Sequence, residues 1–476
     1  MQAKPLSGFR KHIGPLAAGL AFLSSFCFFL FGYPYHLIKR EQANLFVFDR
    51  DYIAATYRGM GAVVRFVTDF LEQFFHLPVV GPLVIALLVT GIGIVTYRIL
   101  RHFLGVWPSL GIAALVFVWS VLRETGNIYT TRYTVVVLGY LSLILAALQF
   151  KKAWQKIVAA IVFLAIGVWA LGSPYHKYYG MLWNTPEVGY DRMIGLDAEV
   201  ARENWDKVQE LSKKDLYTVE ASYCYNLAHA MKGDLGSTLM NHSQGMALFS
   251  LLPPVTIDKS AFSDCLAGEA WFQVGNVTVA EQAAIVALQS SPDHTGARYI
   301  KRLAEVNLIS GEDGAAQKYL NLLSHTLFYG KWARSRMPGR QDEAVRASLA
   351  ARRANLPAAD FVHQSENPRR ILLALLEANP SNDVARQYLL CYDLMRYDLD
   401  SFMEDYMAKP VKGRLYQEAI LIWLSQNDRM NGQEIARFGV DESTVERMNR
   451  FYQNPVAFKD TYWLYYLKAM QPQESH

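Results

Sequence analysis

Five stretches in the first third of the chain are long and apolar enough to cross a lipid bilayer. A hydrocarbon core about 30 Å thick needs roughly 20 apolar residues of helix. None of the stretches carries a charged side chain at its centre, and tyrosine and tryptophan gather at their ends, as at membrane–water interfaces. They cover residues 13–31, 77–97, 103–122, 133–150 and 153–171. Residues 1–172 are therefore predicted to form an integral, multi-pass membrane domain, with the lipid bilayer as its first partner.

Basic residues in the connecting loops predict the orientation of these spans. Lysine and arginine cluster before the first stretch and near residues 98–101 and 151–156, whereas the loop 123–132 has two arginines and one glutamate. Cytoplasmic loops are enriched in lysine and arginine, so the N-terminus is predicted to be cytoplasmic. Five crossings then make everything after residue 172 extracytoplasmic. One crossing more or fewer would move that part to the other side.

The composition changes sharply after residue 172, where charged residues become dense. Residues 173–189 are predicted to be a linker and residues 190–476 an α-helical domain, because apolar residues recur there at helical spacing. The predicted helices are 194–212, 216–232, 236–251, 260–273, 278–290, 294–310, 313–328, 341–354, 368–378, 382–396, 399–407, 413–426, 431–437, 441–452 and 455–469.

Several turns of this domain resemble those of tetratricopeptide repeats. The best match has a small residue, a turn glycine, and a second small residue with two larger neighbours: Ala304, Gly311, Ala316, Tyr319 and Leu320. Looser matches run from Asn379 to Tyr406 and through Trp205, Ala221, Ala228 and Gly233. The resemblance implies stacked helix pairs that bury faces neither helix covers alone. An irregular helical domain is the alternative.

As a whole the sequence resembles uncharacterised bacterial membrane families that have several spans and a repeat-like tail. That resemblance implies an all-α fold, with about five transmembrane helices followed by an extramembrane domain of stacked, tetratricopeptide-like helix pairs. It also implies a bacterial inner membrane, and it implies no activity.

The first outside loop, residues 33–76, is long for a connection between spans. The spacing of polar and apolar residues over Thr56–His76 predicts an amphipathic helix with Asp69, Glu72 and His76 on its polar face. Such a helix either lies flat at the membrane interface or packs against the other domain.

The same loop contains the triplet Asp49-Arg50-Asp51. It resembles the acidic motif in the first outside loop of multi-span membrane glycosyltransferases. The resemblance implies Asp49 and Asp51 as catalytic residues of a lipid-linked sugar or phosphate transferase, holding Mg²⁺ or Mn²⁺. The alternative is a helix start, with Asp49 or Asp51 as the N-cap.

Two arginines at the predicted membrane mouth, Arg123 and Arg132, are candidates for contact with a lipid phosphate or another anion. The alternative is that they only hold helix ends among the lipid head groups. Arginines are also frequent over residues 331–370, where they predict contact with acidic lipid or an acidic partner, or else a solvated surface and linker.

Motifs that would identify an enzyme are missing from the sequence. It has no HExxH, GxSxG, P-loop or GxGxxG pattern, its four cysteines are widely spaced, and no predicted span centre carries the ionisable group of a coupled carrier. The net charge of +4 is small, which disfavours nucleic acid as a partner. We therefore predict a membrane-anchored interaction or scaffold protein without a cofactor, whose helical domain binds a protein or peptide. The transferase is the alternative.

Overall fold

The computed structural model describes residues 6–59, 61–126, 130–172, 184–245, 247–255, 261–291, 294–358 and 361–470, and within these ranges the chain is all-α. It divides into two compact units. The first unit comprises the chain up to Ile194 together with Thr295–Arg298 and Leu322–Trp332. The second unit comprises Gly195–His294, Tyr299–Asn321 and the chain from Ala333. Most of the predicted linker (residues 173–183) lies outside the described residues, so its boundaries stay a prediction.

Nine α-helices lie in the described residues from Leu6 to Ala201. They are α1 (Leu6–Cys27), α2 (Tyr35–Ala43), α3 (Arg50–Thr56), α4 (Ala62–Glu72), α5 (Val80–Leu100), α6 (Val106–Glu124), α7 (Thr130–Ala147), α8 (Ala153–Gly172) and α9 (Val188–Ala201), the last of which runs into the second unit.

Four of these helices are long and apolar enough to cross a membrane. They are α1 with the π-helical turn that follows it (His12–Gly32), α5, α6 and α7. Many of the side chains exposed on them are large and apolar, such as Leu87, Leu115 and Leu143. An apolar surface of this kind suits contact with lipid rather than water. The fifth predicted stretch is helical as α8, whose first part, Ala153–Phe163, counts as a shorter apolar helix.

The loop between α1 and α5 folds into separate helices instead of one helix over residues 56–76. Helix α3 ends at Thr56, and Gly59 and Gly61 follow with φ angles of +77° and +88°, a left-handed conformation that breaks the helical path and lets α4 begin afresh at Ala62. A 3₁₀ turn, Gln73–His76, then leads towards α5. The amphipathic pattern was correct, but the glycines interrupt it.

The described part of the second unit consists of helices, many of them joined by short turns. They are α10 (Trp205–Ser212), α11 (Val219–Lys232), α12 (Leu235–Thr238), α13 (Ala261–Val274), α14 (Val277–Ser290), α15 (Ala297–Ser310), α16 (Asp313–Ser324), α17 (Gly330–Arg336), α18 (Glu343–Arg353), α19 (Pro368–Ala378), α20 (Asp383–Met395), α21 (Leu399–Ala408), α22 (Arg414–Gln426), α23 (Gly432–Arg437), α24 (Glu442–Gln453) and α25 (Tyr462–Met470). Parts of α15, α16 and α17 belong to the first unit.

Three predicted helices of this region differ from the structure. The helix over 194–212 is interrupted before α10, where Glu203 has a φ of 57°. The helix over 236–251 is replaced by α12 and short 3₁₀ turns, and the helix over 455–469 starts only at Tyr462. Helix α17 was not predicted.

Small residues allow close packing in the second unit. Ala221, Ala228, Ala304 and Ala316, which carried the likeness to tetratricopeptide repeats, are fully buried. Gly233 and Gly311 both have a φ of +82° at helix ends, as helix-terminating glycines do. Stacking of repeats in the tetratricopeptide manner stays a prediction.

Candidate functional site

Asp49 acts as the N-cap of α3. Its Oδ1 atom accepts hydrogen bonds from the backbone N–H groups of Asp51 and Tyr52, at 3.0 and 2.9 Å. Asp51 lies in the first turn with its side chain exposed. The geometry is therefore that of a helix start, the second interpretation of the triplet. No group of three or more His, Cys, Asp and Glu side chains in the described ranges could hold a metal ion.

Arg123 and Arg132 both bind side chains of the first unit. Arg123 is buried at the end of α6, where it donates to Thr134 Oγ1 at 2.8 Å and lies over the Trp119 ring at 4.9 Å. Arg132 Nη2 donates to Asp69 Oδ1 at 3.2 Å and so joins α7 to α4. Contact of either arginine with a lipid phosphate stays a prediction.

A buried ion pair joins α2 to α6. Arg40 Nη1 lies 2.6 Å from Glu124 Oε2, and the two side chains are only 1% and 0% exposed. Arg40 also donates to the Glu124 carbonyl at 2.5 Å and to Thr131 Oγ1 at 2.7 Å, while the Thr134 hydroxyl donates to the Glu124 carboxylate. These additional hydrogen bonds satisfy polar atoms that burial would otherwise leave unpaired.

A small acidic recess lies in the first unit, with a cavity volume of about 20 Å³, which is room for one group of about the size of a water molecule or an ammonium. Its lining combines three carboxylates, two amides and three aromatic rings with small or aliphatic residues: Glu41, Asp69, Glu72, Asn44, Gln73, Phe46, Phe328, Tyr329, Leu45, Ala297 and Thr326. Ligand sites commonly combine an apolar wall with a few polar groups in this way.

Two of the three carboxylates have both oxygens near a partner. Glu41 Oε2 accepts from the Tyr329 hydroxyl at 3.0 Å, and its Oε1 lies 3.6 Å from Nδ1 of His76. The Asp69 oxygens are bound by Arg132 and by the Tyr57 hydroxyl, the latter at 3.1 Å. Both carboxylates are therefore held in fixed orientations.

Glu72 differs because one of its oxygens is unused. Oε2 accepts from Asn44 Nδ2 at 3.0 Å, and the Thr131 hydroxyl lies near the carboxylate. No donor within the described part of the chain makes a well-aligned hydrogen bond to Oε1, although the residue is only 4% exposed. Burial raises the pKa of Glu72 to about 7, against the opposing effects of Arg40, Arg132 and the Thr131 hydroxyl. A buried acceptor without a donor costs about 1–3 kcal/mol, so a bound donor would be stabilised here.

The recess has an excess of negative charge. Among the described residues, Arg132 forms an ion pair with Asp69, His76 lies 3.6 Å from Glu41, and Arg40 is paired with Glu124 instead. Burial also raises the pKa of Asp69, despite the nearby Arg132. The recess therefore suits a cation, or else retains a proton on Glu72.

Sequence reasoning placed Asp69, Glu72 and His76 on one helix face but did not identify them as a site. Their spacing was a usable signal, because a charged face repeated at i, i+3 and i+7 marks a common surface. Glu41 and Tyr329 carried no such signal, since they lie 288 positions apart and only the tertiary fold brings them together.

The sequence model of a family of unknown function, DUF6057, matches residues 9–185 and 176–469 of the chain. No curated protein matches the chain. No solved structure matches it either.

Proposed function

Because the chain belongs to DUF6057, a family of unknown function, we propose its role from its own geometry: it is a membrane-anchored binding protein whose acidic recess accepts the primary ammonium group of a ligand. The membrane-length helices provide the anchor, and the unpaired Glu72 Oε1 is the observation that carries the proposal. A multi-pass arrangement with five crossings and an extracytoplasmic second unit is part of the same proposal.

Three properties of the recess favour an ammonium group over other cations. An alkylammonium brings N–H donors to the unused Glu72 oxygen, which a quaternary amine cannot do. The rings of Phe46, Phe328 and Tyr329 line the same space and attract an organic cation. The described acidic side chains do not converge in the manner of a metal site, which disfavours a bare metal ion.

The test is binding of n-propylammonium to the full chain in phosphatidylglycerol nanodiscs, measured by saturation-transfer NMR. Propylammonium should bind, whereas n-propanol and tetramethylammonium should bind weakly. Glu72→Gln keeps the shape and removes the charge, so it should weaken binding about ten- to a hundredfold, the value of a hydrogen bond to a charged group. Asp51→Asn, which removes an exposed carboxylate of the same loop, should leave binding unchanged.

Equal affinity in Glu72→Gln would contradict the proposal, as would a preference for Mg²⁺ over propylammonium. Repeating the titration in phosphatidylethanolamine nanodiscs identifies the source of the ammonium group. Competition from that lipid assigns it to a head group, and unchanged binding assigns it to a free amine.

The second unit supports a second function, the binding of a protein or peptide partner by stacked helix pairs. The close approach of α13 and α14, where a Cβ on Gly268 would lie 2.6 Å from the Ala283 Cβ, is the packing expected of such helix pairs. Selection of a peptide library on the full chain in nanodiscs should enrich a consensus sequence that empty nanodiscs do not enrich. A selection without a consensus would count against this function.

The transferase alternative, with Asp49 and Asp51 holding Mg²⁺ or Mn²⁺, stays a prediction. Asp49 Oδ1 already accepts hydrogen bonds from two backbone N–H groups. The transferase alternative predicts that Asp51→Ala abolishes any cellular phenotype that depends on the protein, while expression of the protein stays unchanged.

A further inference from the structure

The buried and exposed faces of helix α4 are the reverse of those expected for a helix that faces water. Its polar residues Thr68, Asp69 and Glu72 are buried, whereas Val63 is 76% exposed and Phe66 and Val67 are more than one-third exposed. A surface helix in water presents the opposite arrangement, with the apolar stripe inward. The exposed stripe therefore fits an apolar medium.

The polar face of α4 is buried because it has specific partners there. Asp69 is bound by Arg132 and Tyr57, and Glu72 by Asn44. These contacts fix the rotation of the helix about its axis, so the apolar stripe cannot turn inward without breaking them.

Exposed apolar side chains recur along the chain from α4 into a membrane-length helix. Leu77 and Val79, in the connection, are exposed, and so are Leu83 and Leu87 on α5. The exposed apolar side chains thus follow the chain from Val63 to the body of α5, which favours the same medium for both helices.

We propose that α4 lies in the interface of the bilayer, with Val63, Phe66 and Val67 among the lipid chains and its buried carboxylates lining the acidic recess. This inference rests on the proposed membrane anchoring. Its partner is the bilayer itself, since an amphipathic helix lies in the interface plane with its apolar face buried about 5–10 Å deep.

Spin labels on single cysteines test the inference in the full chain. The background is Cys27→Ser, because Cys27 is exposed and the three other cysteines are buried. Labels are placed by Val67→Cys on α4, Leu87→Cys on α5 and Tyr217→Cys, an exposed position of the second unit. Collision rates with oxygen, which concentrates in lipid, are compared with those of a water-soluble nickel complex.

We expect oxygen to dominate at positions 67 and 87 and nickel at position 217. Val63→Cys provides a second α4 position if the first variant fails to fold. Nickel dominance on α4 with oxygen dominance on α5 overturns the inference alone. Nickel dominance at both overturns the membrane anchoring as well. Low access of both reagents on α4 with spin–spin broadening overturns the inference in favour of a second copy of the chain.

Discussion

Removing the guanidinium of Arg40 should destabilise the first unit strongly. Arg40→Met keeps much of the side-chain volume but leaves the Glu124 carboxylate, which is 0% exposed, without its cation. Breaking a buried pair from one side costs about 3–5 kcal/mol. For a unit of this size each kcal/mol shifts Tm by roughly 2–4 °C, so we expect a fall of roughly 6–20 °C.

The double variant Arg40→Met/Glu124→Met separates charge from packing. Replacing a buried pair by apolar residues of similar volume is often neutral or stabilising, so the double variant should recover most of the loss. The Thr134 hydroxyl then keeps an acceptor in the Thr130 carbonyl, at 3.3 Å.

The assay is thermal unfolding of the purified full chain in detergent, followed by tryptophan fluorescence. Arg58→Met, which removes an exposed arginine of the same loop, serves as the control and should shift Tm little. Equal Tm values for the single and double variants would refute the reasoning, because the loss could not then come from an uncompensated charge.

Three further predictions concern the recess and the second unit. Gly268→Ala should lower the free energy of unfolding by about 1–3 kcal/mol through overpacking. Adding Ala283→Gly to that variant should restore the lost stability, and denaturant titrations of the single and double variants test this. Propylammonium should bind only ionised Glu72, whose pKa is raised to about 7 by burial. NMR titrations should therefore show its affinity falling about tenfold per pH unit below 7. An affinity that does not depend on pH in Glu72→Gln would support the assignment. Arg369→Met removes the guanidinium 2.8 Å from buried Asp393, whose pKa burial already raises to about 7. In the folded variant Asp393 keeps its proton up to a higher pH than it does in the unfolded chain. The free energy of unfolding should therefore fall as the pH rises from about 4 through 7, which denaturation at several pH values would show.

Local pattern was enough to predict the long apolar helices of the first unit, but it missed α2 and did not show which helices pair. Helix α5 occupies residues 80–100 against a predicted 77–97, because an apolar run of hydrocarbon length has few alternatives. The cap at Asp49 likewise depends on neighbouring residues only. The Arg40–Glu124 pair joins side chains 84 positions apart, and no periodicity connects them.

The arginine-rich region shows the same limit in the second unit. Arg352 lies over the Phe272 ring at 4.2 Å, and Arg353 donates to the carbonyls of Leu308 and Ile309 at the end of α15. Composition suggested either an acidic partner or a solvated surface, whereas these two side chains serve internal packing and capping. Their partners come from helices distant in sequence, so composition alone could not identify them.

The acidic recess can be completed only late in synthesis, because the segment around Tyr329 supplies part of its lining. Glu41 leaves the ribosome 288 residues before the tyrosine whose hydroxyl it accepts. At ordinary translation rates of about 5–20 residues per second, that interval is roughly 15–60 s. Helix α1 is made before Glu41, and α5, α6 and α7 are made within this interval, so these four apolar helices of the described chain precede one wall of the recess. A shortened chain ending before residue 322 would carry all of those helices and still lack Phe328 and Tyr329.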